Sequence, residues 1–433
     1  MSSRLDPRWP EVRLGDHARI KARLGWKGLK ANEYVLDGPI FLAAPNLRGG
    51  RIDFEHVDHL PQWRYEESPE IQLAVGDVLL VKDGSTLGMS GIVKNLPAPT
   101  TVNGSIAVIR PHASLASGFL FYSINGQRFQ RLIWLRRAGL GVPHLFQADL
   151  REFKVSLPSV AEQNSVDEIL STLDETIEQT EMLIAKYQQM KAGLMQDLFT
   201  RGVTPDGRLR PTCAQALHLY KESPLGWIPR EWDVQPLSEL AQIDRGKFSV
   251  RPRNDPRYYD GPYPFIQTGD VALSGGRLLF ASCQSLNAKG LAVSRLFERG
   301  TIMVTIAANI ADTCTLGVPM CAPDSLVGIK PYRDELTQFI ELCIRRRKHW
   351  FESRAPQTAQ KNINLSDLRP MLVPVPTERE IGHIVQAFDS LERSTEANES
   401  QLNKLRQLKL GLMHDLLTGR VRVKASESEG VPA

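Results

Sequence analysis

Asp255-Pro256-Arg257-Tyr258 comes nearest to a catalytic signature in this chain. An acidic residue, two prolines and a tyrosine in that order hold the target amine in adenine methyltransferases. Here arginine stands third and no glycine-rich loop opens a helix after a strand, so a turn is expected instead. A nuclease-type Pro-Asp followed by acidic-x-Lys fails at Pro323-Asp324, because the residue two before Lys330 is Gly328. No Gly-x4-Gly-Lys-Ser/Thr occurs, which excludes a P-loop ATP site. His56 and His59 stand near Asp53 and Asp58, but an i, i+3 histidine pair in a polar segment reads as solvated surface rather than a metal site. Cys213, Cys283, Cys314, Cys321 and Cys343 are odd in number and lack C-x-x-C spacing, so reduced thiols are expected. The chain is read as non-catalytic, with no metal and no cofactor of its own.

The residues that could bind are basic runs interleaved with turn residues. In the first half they are Lys21, Arg23, Lys27 and Lys30, then Lys82-Asp83-Gly84-Ser85, then Arg136-Arg137. In the second they are Arg245, Lys247, Arg251 and Arg253, then Arg345-Arg346-Arg347-Lys348, then Gln357, Lys361 and Asn362. Arginine and lysine neutralise phosphates, while arginine to guanine and asparagine or glutamine to adenine give base readout. Each run taken singly fits solvated surface equally well. Net charge is only +4, from 53 Lys and Arg against 49 Asp and Glu, so any nucleic-acid surface must be local.

The elements that position these groups are written twice. Segments 149–203 and 367–421 align without a gap at an offset of 218 and agree at 19 of 55 positions. Agreement is densest where Lys191–Thr200 meets Lys409–Thr418, both reading Lys-x-Gly-Leu-Met-x-Asp-Leu-x-Thr. An alternation of variable block and helix, repeated, predicts a pseudo-twofold object suited to a roughly twofold partner such as duplex DNA.

Each repeat carries a helix start, Ser159 with Glu162 and Thr377 with Glu380, the spacing of a capping box. Each ends at a glycine able to take a left-handed cap, Gly202 or Gly419. Between these signals a narrow 3,4-spaced seam runs through Leu173, Ile177, Thr180, Ile184, Tyr187, Lys191, Leu194 and Leu198. Its counterpart runs through Leu391, Thr395, Asn398, Leu402, Leu405, Lys409, Leu412 and Leu416. Such a seam predicts two helices of about 40 residues, roughly 60 Å long, paired antiparallel as a coiled coil. Thr180 with Asn398, and Lys191 with Lys409, are polar breaks expected to set register.

The blocks before the helices correspond more faintly. Trp9–Ile20 lies over Trp232–Ile243, Gly76–Val81 over Gly300–Thr305, and Ser105–Pro111 over Ser325–Pro331. Short β-branched runs bounded by Gly, Pro, Asn and Asp predict strands. Helical spacing follows over Phe119–Trp134 and Leu336–Trp350. Each block is expected to be an α+β domain of about 140 residues.

Taken together the chain resembles the specificity subunit of type I restriction-modification systems over nearly its whole length. The resemblance rests on the Trp-x4-Leu opening of the blocks, Gly76-Asp77-Val78-Leu79-Leu80, and the Asp-Leu-x6-Leu-Pro-x3-Glu-Gln run ending at Gln163. It extends to Leu-x-x-Asp-Leu-x-Thr-Arg-Gly near Thr200 and Ser-Pro-Leu-Gly-Trp-Ile-Pro-x-x-Trp from Ser223 to Trp232. It implies α+β architecture, with two pseudo-twofold-related α/β target-recognition domains separated by two long antiparallel helices. On that plan residues 1–157 form the first domain, 158–202 the central spacer helix and 203–222 a linker. Residues 223–375 form the second domain, 376–421 the C-terminal spacer helix and 422–433 a polar tail. The implied function is recognition of a bipartite, gapped target in double-stranded DNA. Two methyltransferase subunits carrying S-adenosylmethionine, and restriction subunits using ATP and Mg, would be its partners. No run of 18 apolar residues or signal core occurs, so a cytoplasmic protein without a membrane span is expected. Two alternatives stand beside this reading: a coiled-coil scaffold binding only proteins, and the remnant of a fused restriction-methylation enzyme.

Overall fold

The computed structural model describes residues 9–22, 29–136, 143–307, 309–354 and 362–423. Arg23, Lys27, Arg137, Gln357 and Lys361 lie outside the described residues. The chain forms two compact units, Met1–Met182 with Glu399–Ala433, and Leu183–Asn398. The division falls inside both long helices, Val160–Thr200 and Glu378–Leu417, so each helix gives one half to each unit.

In the first unit an antiparallel sheet has the order Ala18–Lys21, Ile106–Pro111, Val78–Val81, Ser90–Ile92. Val78–Val81 is buried on both faces, which explains why its sequence is a continuous apolar run rather than an alternation. Val78 and Leu80 join the core that includes Trp9, Leu14 and Phe119, whereas Leu79 and Val81 join a second core with Ile40, Leu42 and Val102. The second core is covered by a smaller sheet in which Val35–Leu42 pairs parallel with Thr100–Val102 and antiparallel with Asp58–His59.

The second unit repeats this plan. Its sheet runs Ala241–Arg245, Leu326–Pro331, Ile302–Thr305, Thr313–Leu316 and adds Leu278–Leu279 at the edge. Ile302 and Val304 face the core with Trp232 and Leu237, and Met303 faces the other. The smaller sheet again holds a parallel pair, Tyr259–Phe265 with Met320–Ala322. In both units a two-stranded ribbon, Glu11–Arg13 with Lys154–Ser156 or Asp233–Pro236 with Leu372–Val375, leads into the long helix.

Three local features differ from expectation. Each expected helix after the sheet is two helices, Ser117–Asn125 with Gln127–Arg136 and Thr337–Arg346 with Lys348–Arg354. Gly126 adopts extended backbone and stops the first. The 203–222 segment is not a free linker: Val203, Arg210 and Tyr220 are buried, and Tyr220–Ser223 pairs with Gly226–Pro229. Finally, only one of the two capping boxes expected at the long helices closes. Ser159 and Glu162 bond each other's amides at 3.3 and 3.4 Å. Glu380 instead turns away from its cap and accepts from the Val203 amide (2.8 Å), the Trp232 indole (3.0 Å) and the Arg210 guanidinium (3.1 Å). Gly202 and Gly419 both take the left-handed conformation expected of helix ends, φ 61° and 68°.

Candidate nucleic-acid interface

Strand direction gathers the basic loops. In the first unit Ala18–Lys21 and Val78–Val81 both run antiparallel to Ile106–Pro111, with Lys21 opposite Val108 and Val81 opposite Ile106. Their C-terminal ends therefore share one end of the sheet. In the second unit Arg245 lies opposite Val327 and Thr305 opposite Leu326, which gives the same arrangement.

At that end of the first unit the turn after Val81 is tied to the strap at Pro143–Phe146. The Gly84 amide donates to Pro143 O (3.0 Å) and the Leu145 amide to Lys82 O (2.9 Å), while the His144 ring meets the Asp83 carboxylate. Ser85 is exposed on this turn and Phe146 presents its ring beside His144. The corresponding contact in the second unit pairs Ala307 with Asn362, and the Ile363 amide donates to Ile306 O (3.0 Å).

The loop after Arg245 is held by a different device. Gly246 sits so close to Pro323 that a Cβ would lie 2.1 Å from its carbonyl, which only glycine tolerates. Three arginines then converge on one residue. Arg245 donates to the Asp324 backbone oxygen (2.6 Å), Arg253 reaches both carboxylate oxygens (2.7 and 3.0 Å), and Arg251 lies 3.9 Å away. One carboxylate against three guanidiniums leaves this end positive, with Lys247 exposed beside it. Asp255-Pro256-Arg257-Tyr258 is the expected turn: Asp255 accepts from the Arg257 amide and guanidinium, which hold its carboxyl below the usual range.

Several expected contact residues are employed otherwise. Lys82 is nearly buried and its ammonium lies 2.6 Å from Asp83, so it is not presented to phosphates. Arg345 is also a correction: its guanidinium binds Glu341 (2.8 Å) and Glu392 (2.6 Å) and joins the domain to the C-terminal helix. Arg346 lies over Phe199 and Arg347 over Trp350, at 5.8 and 5.7 Å from the ring centres. Arg136 is exposed, 3.6 Å from Asp149. Lys21, Ser85, Lys247, Arg251, Arg253 and Asn362 stand at the loop-bearing sheet ends. His144 and the organising role of Asp324 were missed, since each partner lies tens of residues away in sequence.

Among the expected seam residues, Leu198 and Leu416 join cores shared with the sheet-bearing domains. Leu173, Leu402 and Leu416 are buried in the first unit and Ile184 and Leu198 in the second. Ile177, Tyr187, Leu194, Leu391, Leu405 and Leu412 are half-buried. Antiparallel pairing shows in the first unit as Asp174 with Lys409 (2.5 Å) and Glu181 with Arg406 (2.8 Å). The polar breaks bond their own helices, Thr180 to Thr176 O and Asn398 to Ser394 O, both 2.7 Å. His56 meets Asp53 and His59 meets Gly38 O, and among the described residues no cluster of three metal-ligating side chains occurs.

Two domains of one topology, each with a loop-bearing sheet end and each leading into a long helix, are thus encoded in one chain. The type I restriction modification DNA specificity domain family matches residues 34–187 and again 229–407. The chain belongs to this family. It carries two copies of the specificity domain and is a recognition subunit of a type I restriction system. Among similar proteins are two specificity subunits from Methanocaldococcus jannaschii. MjaVIII is 23% identical, covering 96% of this chain and 93% of its own, and the putative MjaX subunit is 21% identical, covering 86% and 85%. The EcoKI specificity subunit of Escherichia coli is 21% identical, covering 87% and 81%. The fold is shared with the crystal structure of a type I S subunit from M. genitalium (TM-score 0.60, 15% identity, 96% and 97% covered). A chain from a study of type I complex assembly and conformational transition is also similar (TM-score 0.55, 18% identity, 97% and 100% covered). Among the described residues no helix is long and apolar enough to cross a membrane.

Proposed function

We propose that this chain directs a type I restriction-modification complex to a bipartite, asymmetric DNA target with an unspecified gap, one half-site per recognition domain. The observation that carries this reading is one topology whose equivalent sheet end is furnished differently in each unit: Asp83, Ser85 and His144 in one, Arg245, Lys247, Arg253 and Asp324 in the other. Equivalent scaffolds with different loops give two different half-sites. Two methyltransferase subunits assemble on the chain and methylate adenine with their own S-adenosylmethionine, and restriction subunits bring ATP and Mg. The long helices set the gap, and the complex works in the cytoplasm. Sequencing of methylated adenines in cells carrying this chain and its methyltransferase tests the reading. A gapped asymmetric motif that disappears with the chain is expected. Unchanged methylation beside a demonstrably active methyltransferase would leave only a protein-binding scaffold.

A further inference from the structure

One position recurs at the loop-bearing sheet end of both units and carries a different polar side chain in each. In the first unit an isolated antiparallel bridge joins Asp83 to His144, and the Leu145 amide donates to Lys82 O (2.9 Å). In the second an isolated antiparallel bridge joins Ala307 to Asn362, and the Ile363 amide donates to Ile306 O (3.0 Å). The backbone register is the same, so His144 and Asn362 are structural counterparts. The residue after each fixes its direction: Leu145 and Ile363 are fully buried, each in a core of its own unit. Side chains alternate along extended backbone, so the residue before each buried plug points away from the core.

The surroundings of these two side chains suit readout better than folding. The His144 side chain is 35% exposed and yet held on two sides, with Nδ1 on the Asp83 carboxylate and the ring edge-on to Phe146, centroids 4.5 Å apart. Lys82 lies 2.6 Å from the same carboxylate and balances its charge. Nδ1 is thus engaged, and Nε2 is the ring atom left for a ligand. In the second unit the residue opposite is alanine, which has no polar side chain to engage the exposed Asn362 carboxamide. A carboxamide offers an acceptor and a donor side by side, and that pair matches the N6 amine and N7 of adenine in the major groove.

We propose that this shared position reads one base pair in each half-site. Asn362 takes an adenine, accepting from its N6 amine and donating to its N7, and His144 contacts one pair of the other half-site through Nε2. The inference rests on the function proposed above and adds which side chain in each recognition domain fixes a base.

The full chain, with Asn362→Ala, His144→Ala or both, is expressed with its methyltransferase subunit, and methylated adenines are sequenced across the genome. Asn362→Ala should relax a single position of one half-site, an A·T pair in the parent motif. His144→Ala should relax a single position of the other half-site, and the double variant should relax both. Preference for the parent pair should fall roughly 5- to 150-fold for Asn362→Ala, the discrimination that a bidentate base contact supplies, with the single bond of His144 at the low end. Melting of Asn362→Ala should match the parent, because that side chain is exposed; this separates lost readout from a misfolded domain. A motif unchanged by both variants would overturn the inference while sparing the proposed function. So would uniformly lower methylation of an unchanged motif, which is what a lost phosphate contact gives. Relaxation across a whole half-site would make the residue a support of the strap, and a G·C pair at the position relaxed by Asn362→Ala would contradict the adenine contact; either overturns it. A parent chain that yields no gapped motif beside an active methyltransferase would remove both the inference and the function beneath it.

Discussion

The Lys191 ammonium lies 2.6 Å from the Glu392 carboxylate in one unit, and its repeat partner Lys409 lies 2.5 Å from Asp174 in the other. Both carboxylates also receive a group from the recognition domain, Arg345 on Glu392 (2.6 Å) and the Tyr122 hydroxyl on Asp174 (2.9 Å). Helix, helix and domain therefore meet at one charged joint in each unit. Burial pushes the Glu392 carboxyl up, but Arg345 and Lys191 outweigh it and hold it below the usual range.

The two joints should differ in strength. Glu392→Ala leaves Arg345 and Lys191 without a shared carboxylate in a largely buried setting, at a cost of about 3 kcal/mol. Asp174→Ala opens a more exposed joint and should cost about 1 kcal/mol. Urea unfolding of the two variants decides; equal losses would mean that burial does not set the difference.

Glu380 and Glu162 occupy the same place in the repeat and do different work. Glu380 is buried among Arg210, Trp232 and the Val203 amide, so Glu380→Ala leaves the buried Arg210 guanidinium only the exposed Glu231 carboxylate (3.1 Å) as a charged partner and should lose about 3 kcal/mol. Glu162 caps its helix and meets Arg422 at 2.7 Å, so Glu162→Ala should lose about 1 kcal/mol. Thermal melts that rank the two the other way round would refute the assignment.

Asp167 lies against Gly118, and burial raises its carboxyl above the ordinary value, with Lys94 opposing only in part. A carboxyl raised on folding binds its proton more tightly in the native state. The resulting stability is complete below the unfolded pKa, roughly 4, and disappears as pH rises through the folded one. Asp167→Asn should therefore be more stable than the parent at neutral pH, with the gain vanishing under acid. A gain that is constant across pH 4 to 8 would count against this.

Lys247 and Arg345 separate surface from joint. Lys247→Ala should weaken DNA affinity several-fold and reduce the salt slope by about 0.9 for one lost phosphate contact, leaving the fold intact. Arg345→Ala should lower stability first. Fluorescence anisotropy across a salt series, beside a melt of each variant, tests the pair; an unchanged salt slope for Lys247→Ala would place DNA elsewhere.

Much of the fold was legible because it rests on local periodicities. The 3,4 seam of Leu173 to Leu198 and its copy follow from helix geometry, and the apolar runs at Val78 and Ile302 follow from strands buried on both faces. The loops were harder. Nothing in sequence brings His144 to Asp83, or Arg253 to Asp324, because those pairings depend on which strand ends coincide.

The sequence by itself determined the family plan of this chain: two blocks, two helices, one offset, and the glycines that end the helices. Those features depend on residues close along the chain or on comparison of the chain with itself. Tertiary structure alone decided the use of each charge. Arg345 and Lys82 look like their basic neighbours in the sequence, yet one binds a helix and the other an adjacent carboxylate. An ionised side chain takes whatever partner the fold desolvates beside it, and that partner is chosen by packing rather than by position along the chain.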